Sequence, residues 1–245
     1  MSGTIALHGG GEFRAGDEPF LRAILDAAPR PSGPVRVAIV PTAAARGAPD
    51  LAGAHGVAAF ERVAAGAGIP VQAEVVRILG PESAADAALA QRLAAADLIH
   101  LPGGDPDLIP WVMAGSAAWT AIRAAVAAGA VLAGASAGAM GLAAWTWTAA
   151  GGVTGLGIVP GPPLLVMPHA DATSWRSSLA RFGRDVPDGI GILGLCERTG
   201  VLIALDADAP WRVAGEGEVR WSPPGGDTSA PLVFGSGDAF DPGLG

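Results

Sequence analysis

The stretch Ala133-Gly-Ala-Ser-Ala-Gly-Ala-Met140 places Ser136 between a run typical of a buried strand and a run that can begin a helix. The preceding residues 128–133 are small and apolar, as expected of a strand covered on both faces. The glycines two positions before and after the serine allow a sharp turn that exposes a nucleophilic hydroxyl. The backbone N–H of Ala137 is then expected to point to the space where an oxyanion forms. A Gly/Ala-rich junction in an alanine-rich chain is the structural alternative.

The base that would take a proton from this serine has to be a histidine. The chain contains no lysine, tyrosine or asparagine, which excludes a Ser–Lys dyad. Of the four histidines only His169 follows the serine. It comes after an apolar run that ends at Pro168, so we expect it at the end of a strand, where active-site loops of α/β proteins lie. A half-exposed loop histidine is the structural alternative.

The acid that would support the histidine cannot lie between the serine and the histidine, because no charged residue lies between Ala137 and Pro168. This excludes the Ser–acid–His order of the α/β-hydrolases. Glu197 is the leading candidate, since it ends the apolar stretch 189–197 and a buried carboxylate needs a partner. The alternatives are an ion pair of Glu197 with Arg198, and Asp171 as the acid.

Five dispersed motifs, in this order, resemble the S51 family of serine peptidases, which includes dipeptidase E and cyanophycinase. They are Ile5-Ala-Leu-His-Gly-Gly-Gly-Glu12, Leu101-Pro-Gly-Gly-Asp105, Gly134-Ala-Ser-Ala-Gly138, Pro168-His169 and Gly191-Ile-Leu-Gly-Leu-Cys-Glu-Arg-Thr199. The resemblance covers roughly residues 5–205 and implies a class I glutamine-amidotransferase-like fold. It further implies that Gly103 or Gly104 completes the oxyanion hole, that the acid is Glu197, and that the substrate is a small peptide, such as a dipeptide with an N-terminal aspartate.

Two positions depart from the family pattern where a substrate side chain would lie. Pro106 replaces the glutamine or threonine that often follows the second glycine loop, which is the Gly103-Gly104 segment. Ala170 replaces the aromatic residue after the histidine. A non-catalytic binding protein on a glutamine-amidotransferase-like scaffold is therefore the rival hypothesis.

Further candidates for substrate binding follow from position and charge. Gly10 lies in the first glycine loop, Gly9-Gly10-Gly11, where the backbone can pass close to a ligand. Arg176 can hold a substrate carboxylate in a bidentate fork or form a surface ion pair. Asp105 and Asp171 are also candidates, although Asp105 can equally cap a helix. Glu12 can bind a substrate amino group or be an ordinary loop acid.

Composition limits the remaining possibilities. A chain of 245 residues, half of them hydrophobic, can bury one substantial core. The net charge of −8 argues against nucleic acid as a partner. The lone Cys196 fits a reducing compartment, and no histidine or cysteine pair has metal-ligand spacing. We expect a cytoplasmic enzyme without cofactor, metal or membrane segment, acting as a monomer or homodimer.

The pattern of apolar residues predicts an α/β fold. We expect a three-layer sandwich with a mainly parallel, flavodoxin-like doubly wound sheet. Strands are predicted near 4–8, 35–41, 71–78 and 98–101, and helices near 17–28, 50–67, 82–95 and 107–128. A C-terminal β-hairpin is predicted from Trp211-Arg-Val and Val219-Arg-Trp. Residues 1–222 then form one domain, and 223–245 a loosely held tail.

Overall fold

The computed structural model describes residues 3–30, 32–148, 150–206 and 209–243. The strands are β1 (Thr4–His8), β2 (Val35–Ile39), β3 (Val71–Val75), β4 (Leu98–Leu101), β5 (Val131–Ala135), β6 (Trp145–Thr148), β7 (Gly151–Thr154), β8 (Leu164–Met167), β9 (Gly191–Leu195), β10 (Thr199–Ala204), β11 (Trp211–Gly215), β12 (Val219–Ser222), β13 (Leu232–Phe234) and β14 (Ala239–Phe240). The helices are α1 (Glu18–Ala27), α2 (Pro49–Ala67), α3 (Pro81–Ala84), α4 (Ala87–Ala94), α5 (Leu108–Met113), α6 (Ala117–Ala127), α7 (Ala137–Leu142) and α8 (Ala172–Phe182), with a 3₁₀ turn at Gly183–Asp185.

The large sheet has the order β14-β11-β10-β1-β5-β4-β2-β3, and its five strands from β1 to β3 are parallel. Strands β3-β2-β4-β5 follow the doubly wound order, and β1 lies beside β5. Helices α1 and α2 pack on one face of this sheet, and α4 and α6 belong to the core on the other. The predicted α/β fold with a mainly parallel sheet between helices is confirmed.

Two predicted helices are divided in the structure. The helix predicted over 107–128 is interrupted at Gly115, which has a φ of 71°. The next residue, Ser116, caps α6 by accepting a hydrogen bond from the N–H of Trp119. The helix predicted over 82–95 is likewise divided where Asp86 caps α4. Polar capping side chains therefore decide where these helices begin.

A second sheet, in the order β13-β12-β9-β8, contributes buried side chains to the same core as the large sheet. Its strands β8 and β9 are parallel, so both end at the same edge. The loops after these two strands meet the loops that follow β1, β4 and β5. This edge is where the candidate site lies.

The C-terminal strands differ from the prediction in their pairing. Strands form at both predicted places, but β11 pairs with β10 and β14, whereas β12 pairs with β9 and β13. The two strands therefore complete different sheets, and they do not form a hairpin with each other. The segment predicted as a loose tail supplies β13 and β14, and Phe240 in β14 is buried against Trp211.

Candidate active site

Ser136 lies at a sharp turn between β5 and α7. Its backbone has φ 48° and ψ −115°, a conformation that non-glycine residues rarely adopt. The N–H of Ser136 donates to the carbonyl of His8, 2.9 Å away, which fixes the turn to the end of β1.

The glycines of the G-x-S-x-G motif are required by close packing. A Cβ at Gly138 would lie 2.1 Å from the carbonyl oxygen of Leu101, and one at Gly134 would lie 2.7 Å from the backbone of Gly138 and Ala139. Because these neighbours are backbone atoms, they cannot rotate away. The turn that exposes Ser136 therefore depends on both glycines.

His169 follows β8 and points its ring at Ser136. Its Nε2 lies 3.3 Å from the Ser136 Oγ. His169 also has a positive φ, 53°, and its N–H donates to the carbonyl of Gly9 at 2.8 Å. The ring covers Gly10, where a Cβ would lie 2.3 Å from Cε1 of the imidazole. Gly10, predicted to contact substrate, therefore supports the imidazole from behind.

Glu197 follows β9 and completes the line of polar groups. Its Oε1 lies 2.9 Å from Nδ1 of His169, and both side chains are about half exposed, at 51% and 49%. Arg198 does not pair with it, because the Arg198 guanidinium reaches the carbonyl of Ala15 and lies 3.9 Å from Glu216. Glu197 was predicted either to contact the histidine or to pair with Arg198, and the structure shows the contact with the histidine.

Asp171, the rival acid, is engaged elsewhere. Its carboxylate accepts hydrogen bonds from the N–H groups of Thr173 and Ser174 and caps α8. The hydrogen bonds from the backbone at Ser174 and Thr173 lower the pKa of Asp171. The carboxylate therefore serves the start of the helix, and the structure does not pair it with the imidazole.

The predicted oxyanion donors differ in their availability. Ala137 is the first residue of α7, so its N–H has no carbonyl partner within the helix. Gly104 has a φ of 149°, and a Cβ there would collide with the carbonyl of Ala43. The N–H of Gly103 is already bonded to Oε1 of Glu12 at 2.8 Å. The N–H groups of Ala137 and Gly104 have no acceptor among the described residues, so they remain the candidate oxyanion donors, and Gly103 does not in this conformation.

Ser136, His169 and Glu197 line one end of a cavity of about 660 Å³, here called the main cleft. Its other wall is one face of α2, and its floor includes the glycine loop at 102–104 and residues 11–14. The α2 residues that line it are Leu51, Ala52, His55, Ala58 and Arg62, and Ala48 lies directly before the helix. Eleven helical steps separate Leu51 from Arg62, so this wall extends on the order of 17 Å.

Three residues that line the main cleft, Arg14, His55 and Arg62, were not predicted from the sequence. His55 and Arg62 share a helix face with small residues, but no sequence signal indicates that this face borders Ser136. Arg14 follows the first glycine loop and also lines the main cleft. All three are brought to the site by the packing of α2 against the loop after β1.

A second cavity of about 330 Å³, here called the apolar pocket, opens beside the site. Three of its residues are close in sequence to site residues: Pro106 to Gly104, Met140 to Ser136, and Pro168 to His169. The remaining lining residues are Trp147, Thr148, Met167, Ser178, Arg181 and Phe182. The departure from the family pattern at Pro106 therefore lies in this wall.

Two other predicted substrate residues line neither cavity. Asp105 donates its N–H to the carbonyl of Ala43 at 2.7 Å, and its carboxylate lies 3.7 Å from Arg46. Arg176 is exposed on α8 and lines neither the main cleft nor the apolar pocket. Neither residue therefore belongs to the lining of the cavity that contains Ser136.

Among the described residues, no group of histidine, cysteine or acidic side chains is arranged to hold a metal ion. No helix in the described ranges combines the length and apolar character needed to cross a membrane.

Ser136 lies on a strained strand-to-helix turn at the edge of a mainly parallel sheet, within reach of an imidazole that contacts a carboxylate. This arrangement is that of a serine hydrolase, with the residue order Ser–His–Glu and not that of the α/β-hydrolases. The sequence model of peptidase family S51 matches residues 5–206, and the chain belongs to this family of serine peptidases.

Solved structures share the fold. A crystal structure of a peptidase from an acI-B1 Actinobacterium superposes with a TM-score of 0.78 at 22% identity, covering 98% of this chain and 97% of that one. A candidate peptidase E protein from Listeria monocytogenes EGD-e gives a TM-score of 0.58 at 14% identity, covering 88% of this chain and 98% of that one. Comparison with curated proteins gives no match.

Proposed function

We propose that the protein hydrolyses small peptides through an acyl-enzyme on Ser136, with His169 as general base and Glu197 as the group that orients it. Nε2 of His169 takes the hydroxyl proton as Oγ attacks the scissile carbonyl carbon. The N–H groups of Ala137 and Gly104 stabilise the resulting oxyanion, and Glu197 stabilises the imidazolium.

The same groups then complete the reaction. The imidazolium gives its proton to the leaving amine as the C–N bond breaks, which leaves an ester on Ser136. A water molecule, deprotonated by His169, attacks the ester and releases the acid, and the proton returns to Oγ. Each proton is accepted and returned by one nitrogen.

The observation that carries the proposal is the continuous contact from Oγ of Ser136 through the imidazole to Oε1 of Glu197, at 3.3 and 2.9 Å. Both the serine and the histidine are held in positive-φ conformations to make it. Strain of this kind, of order 1–3 kcal/mol per residue, is typical of functional sites.

Covalent labelling by a fluorophosphonate tests this proposal against the rival binding protein. We expect label on Ser136 and none on a Ser136→Ala variant, which should also lose all peptide hydrolysis while keeping the wild-type melting temperature. Ser177→Ala, an exposed serine on α8, is the matched control and should label fully. A wild-type protein that does not label is the result expected of an inert pocket.

Dipeptides with an N-terminal aspartate are the substrates that the family resemblance implies. A β-carboxylate needs a cation, and arginines lie in both cavities: Arg181 in the apolar pocket, Arg14 and Arg62 in the main cleft. Hydrolysis of Asp-Leu but not Leu-Leu by the purified protein would support this specificity.

The lining of the apolar pocket favours a second specificity, for an apolar side chain. Two methionines, two aromatic rings and two prolines line it, and only Arg181 among its residues is charged. On this hypothesis Leu-Leu is cleaved faster than Asp-Leu, because burying apolar area stabilises its complex. Met140→Arg should then reverse the preference by placing a second cation in the pocket wall, with Ser177→Ala as the control.

A further inference from the structure

Glu12 is a half-buried carboxylate in the main cleft, directly after the first glycine loop. We infer that Glu12 binds the α-ammonium group of the substrate, so that the site selects peptides with a free amino terminus and removes their first residue. This inference rests on the proposed role of Ser136 as nucleophile.

The position of Glu12 matches the place where that ammonium has to be. A methyl group added at Gly103 would lie 2.9 Å from Oε1 of Glu12 and 3.2 Å from Cβ of Ser136. The carboxylate and the nucleophile therefore flank the same residue. In a substrate whose first residue is transferred to Ser136, the amino nitrogen lies about 2.5 Å from the attacked carbonyl carbon. A recognising group must then lie close beside the nucleophile, as Glu12 does.

The carboxylate of Glu12 has no ion-pair partner among the described residues. The main cleft has two acidic residues, and Glu197 contacts His169. None of the ion pairs among the described residues includes Glu12, whereas nearby Glu18 lies 3.7 Å from Arg62. Its one hydrogen bond in the described ranges is from Gly103 to Oε1, which leaves Oε2 without a donor there.

An unneutralised carboxylate at this place works against the reaction. The oxyanion that forms on the substrate carries the same charge, and like charges within a few ångströms repel more strongly as water is excluded. A substrate ammonium removes this repulsion and gains a charge-assisted hydrogen bond. An N-acetylated peptide does neither, so discrimination should appear in both binding and turnover.

Glu12→Gln separates charge from shape, because the amide oxygen still accepts the hydrogen bond from Gly103. Steady-state kinetics of the best-cleaved dipeptide and its N-acetyl derivative give the comparison. We expect the variant to lose about 10- to 100-fold in kcat/KM on the free dipeptide. On the N-acetyl dipeptide, kcat/KM of the variant should stay the same or rise. Glu61→Gln, an exposed acid on α2 outside the cleft, is the control and should change neither value.

An equal loss of kcat/KM on both peptides would show that Glu12 only holds the glycine loop at 102–104, and would overturn the inference.

Calorimetric binding measurements on the Ser136→Ala variant distinguish a failure of this inference from a failure of the proposed function. In that variant, adding Glu12→Gln should weaken binding of the free dipeptide about 10- to 100-fold and leave binding of the acetylated dipeptide unchanged. If wild-type protein fails to label or hydrolyse while this binding preference persists, the nucleophile proposal is wrong and the ammonium site stands. Equal binding of the two peptides to Ser136→Ala overturns the inference.

Discussion

Replacing Gly10 by alanine should slow peptide hydrolysis strongly through a single added methyl group. The new Cβ would lie 2.3 Å from Cε1, 2.8 Å from Nε2 and 3.0 Å from Nδ1 of His169. Ordinary van der Waals contact begins at 3.4 Å, so the ring has to retreat by about 1 Å. The distance from its Nε2 to Oγ of Ser136 is already 3.3 Å, and the retreat lengthens it or breaks the contact with Glu197.

The expected cost follows from this displacement. Misplacing a catalytic group by about 1 Å costs on the order of 100-fold in rate, which is about 3 kcal/mol of transition-state stabilisation. Alanine at the Gly10 φ of 106° adds about 1–2 kcal/mol of backbone strain, which lowers stability without affecting the chemistry.

Gly151→Ala is the matched control, because Gly151 has a φ of 119° and no atom within 4 Å of an added Cβ. It carries the strain without the collision. We expect both variants to lose melting temperature, and only Gly10→Ala to lose kcat/KM and the rate of fluorophosphonate labelling. If the Gly10→Ala variant reacts with the fluorophosphonate and hydrolyses peptide as fast as Gly151→Ala, the imidazole of His169 is not held against Gly10 and the site geometry is wrong.

Other perturbations test the acid, the turn that carries Ser136, and the buried histidine. Glu197→Gln should lower kcat at least tenfold, whereas Asp171→Asn should leave it nearly unchanged, because asparagine also caps helices; the opposite ranking in steady-state assays would make Asp171 the acid. Gly138→Ala should destabilise the fold by at least about 2 kcal/mol in urea unfolding, since its Cβ would meet a backbone carbonyl, and a stable variant would contradict that packing. Burial, together with the neighbouring charge of His8, lowers the pKa of His100 to about 3. As pH falls from about 6.5 toward 3, His100 takes up a proton in the unfolded chain but not in the folded one, so stability falls by about 1.4 kcal/mol per pH unit. His100→Leu should reduce this slope between pH 7.5 and 5, and equal slopes in the two proteins would contradict the assignment.

Much of the site is readable in the sequence because its parts lie at strand ends. Ser136, His169 and Glu197 each follow an apolar run, and parallel strands end at a common edge. The absence of lysine, and of any charge between Ala137 and Pro168, excluded other constellations before any geometry was known. Elimination of this kind is local, since it depends on which residues are present and in what order.

Local sequence alone thus determined the parallel α/β core and the glycine-framed serine, because strand burial and turn chemistry are properties of short segments. Tertiary structure decided which strands pair, since Trp211 and Trp221 lie in similar short β-forming segments yet join different sheets. It also decided that Glu12 occupies the N–H of Gly103, a contact across 91 residues. Pairing and contact across such separations depend on how whole layers pack, and no short segment carries that information.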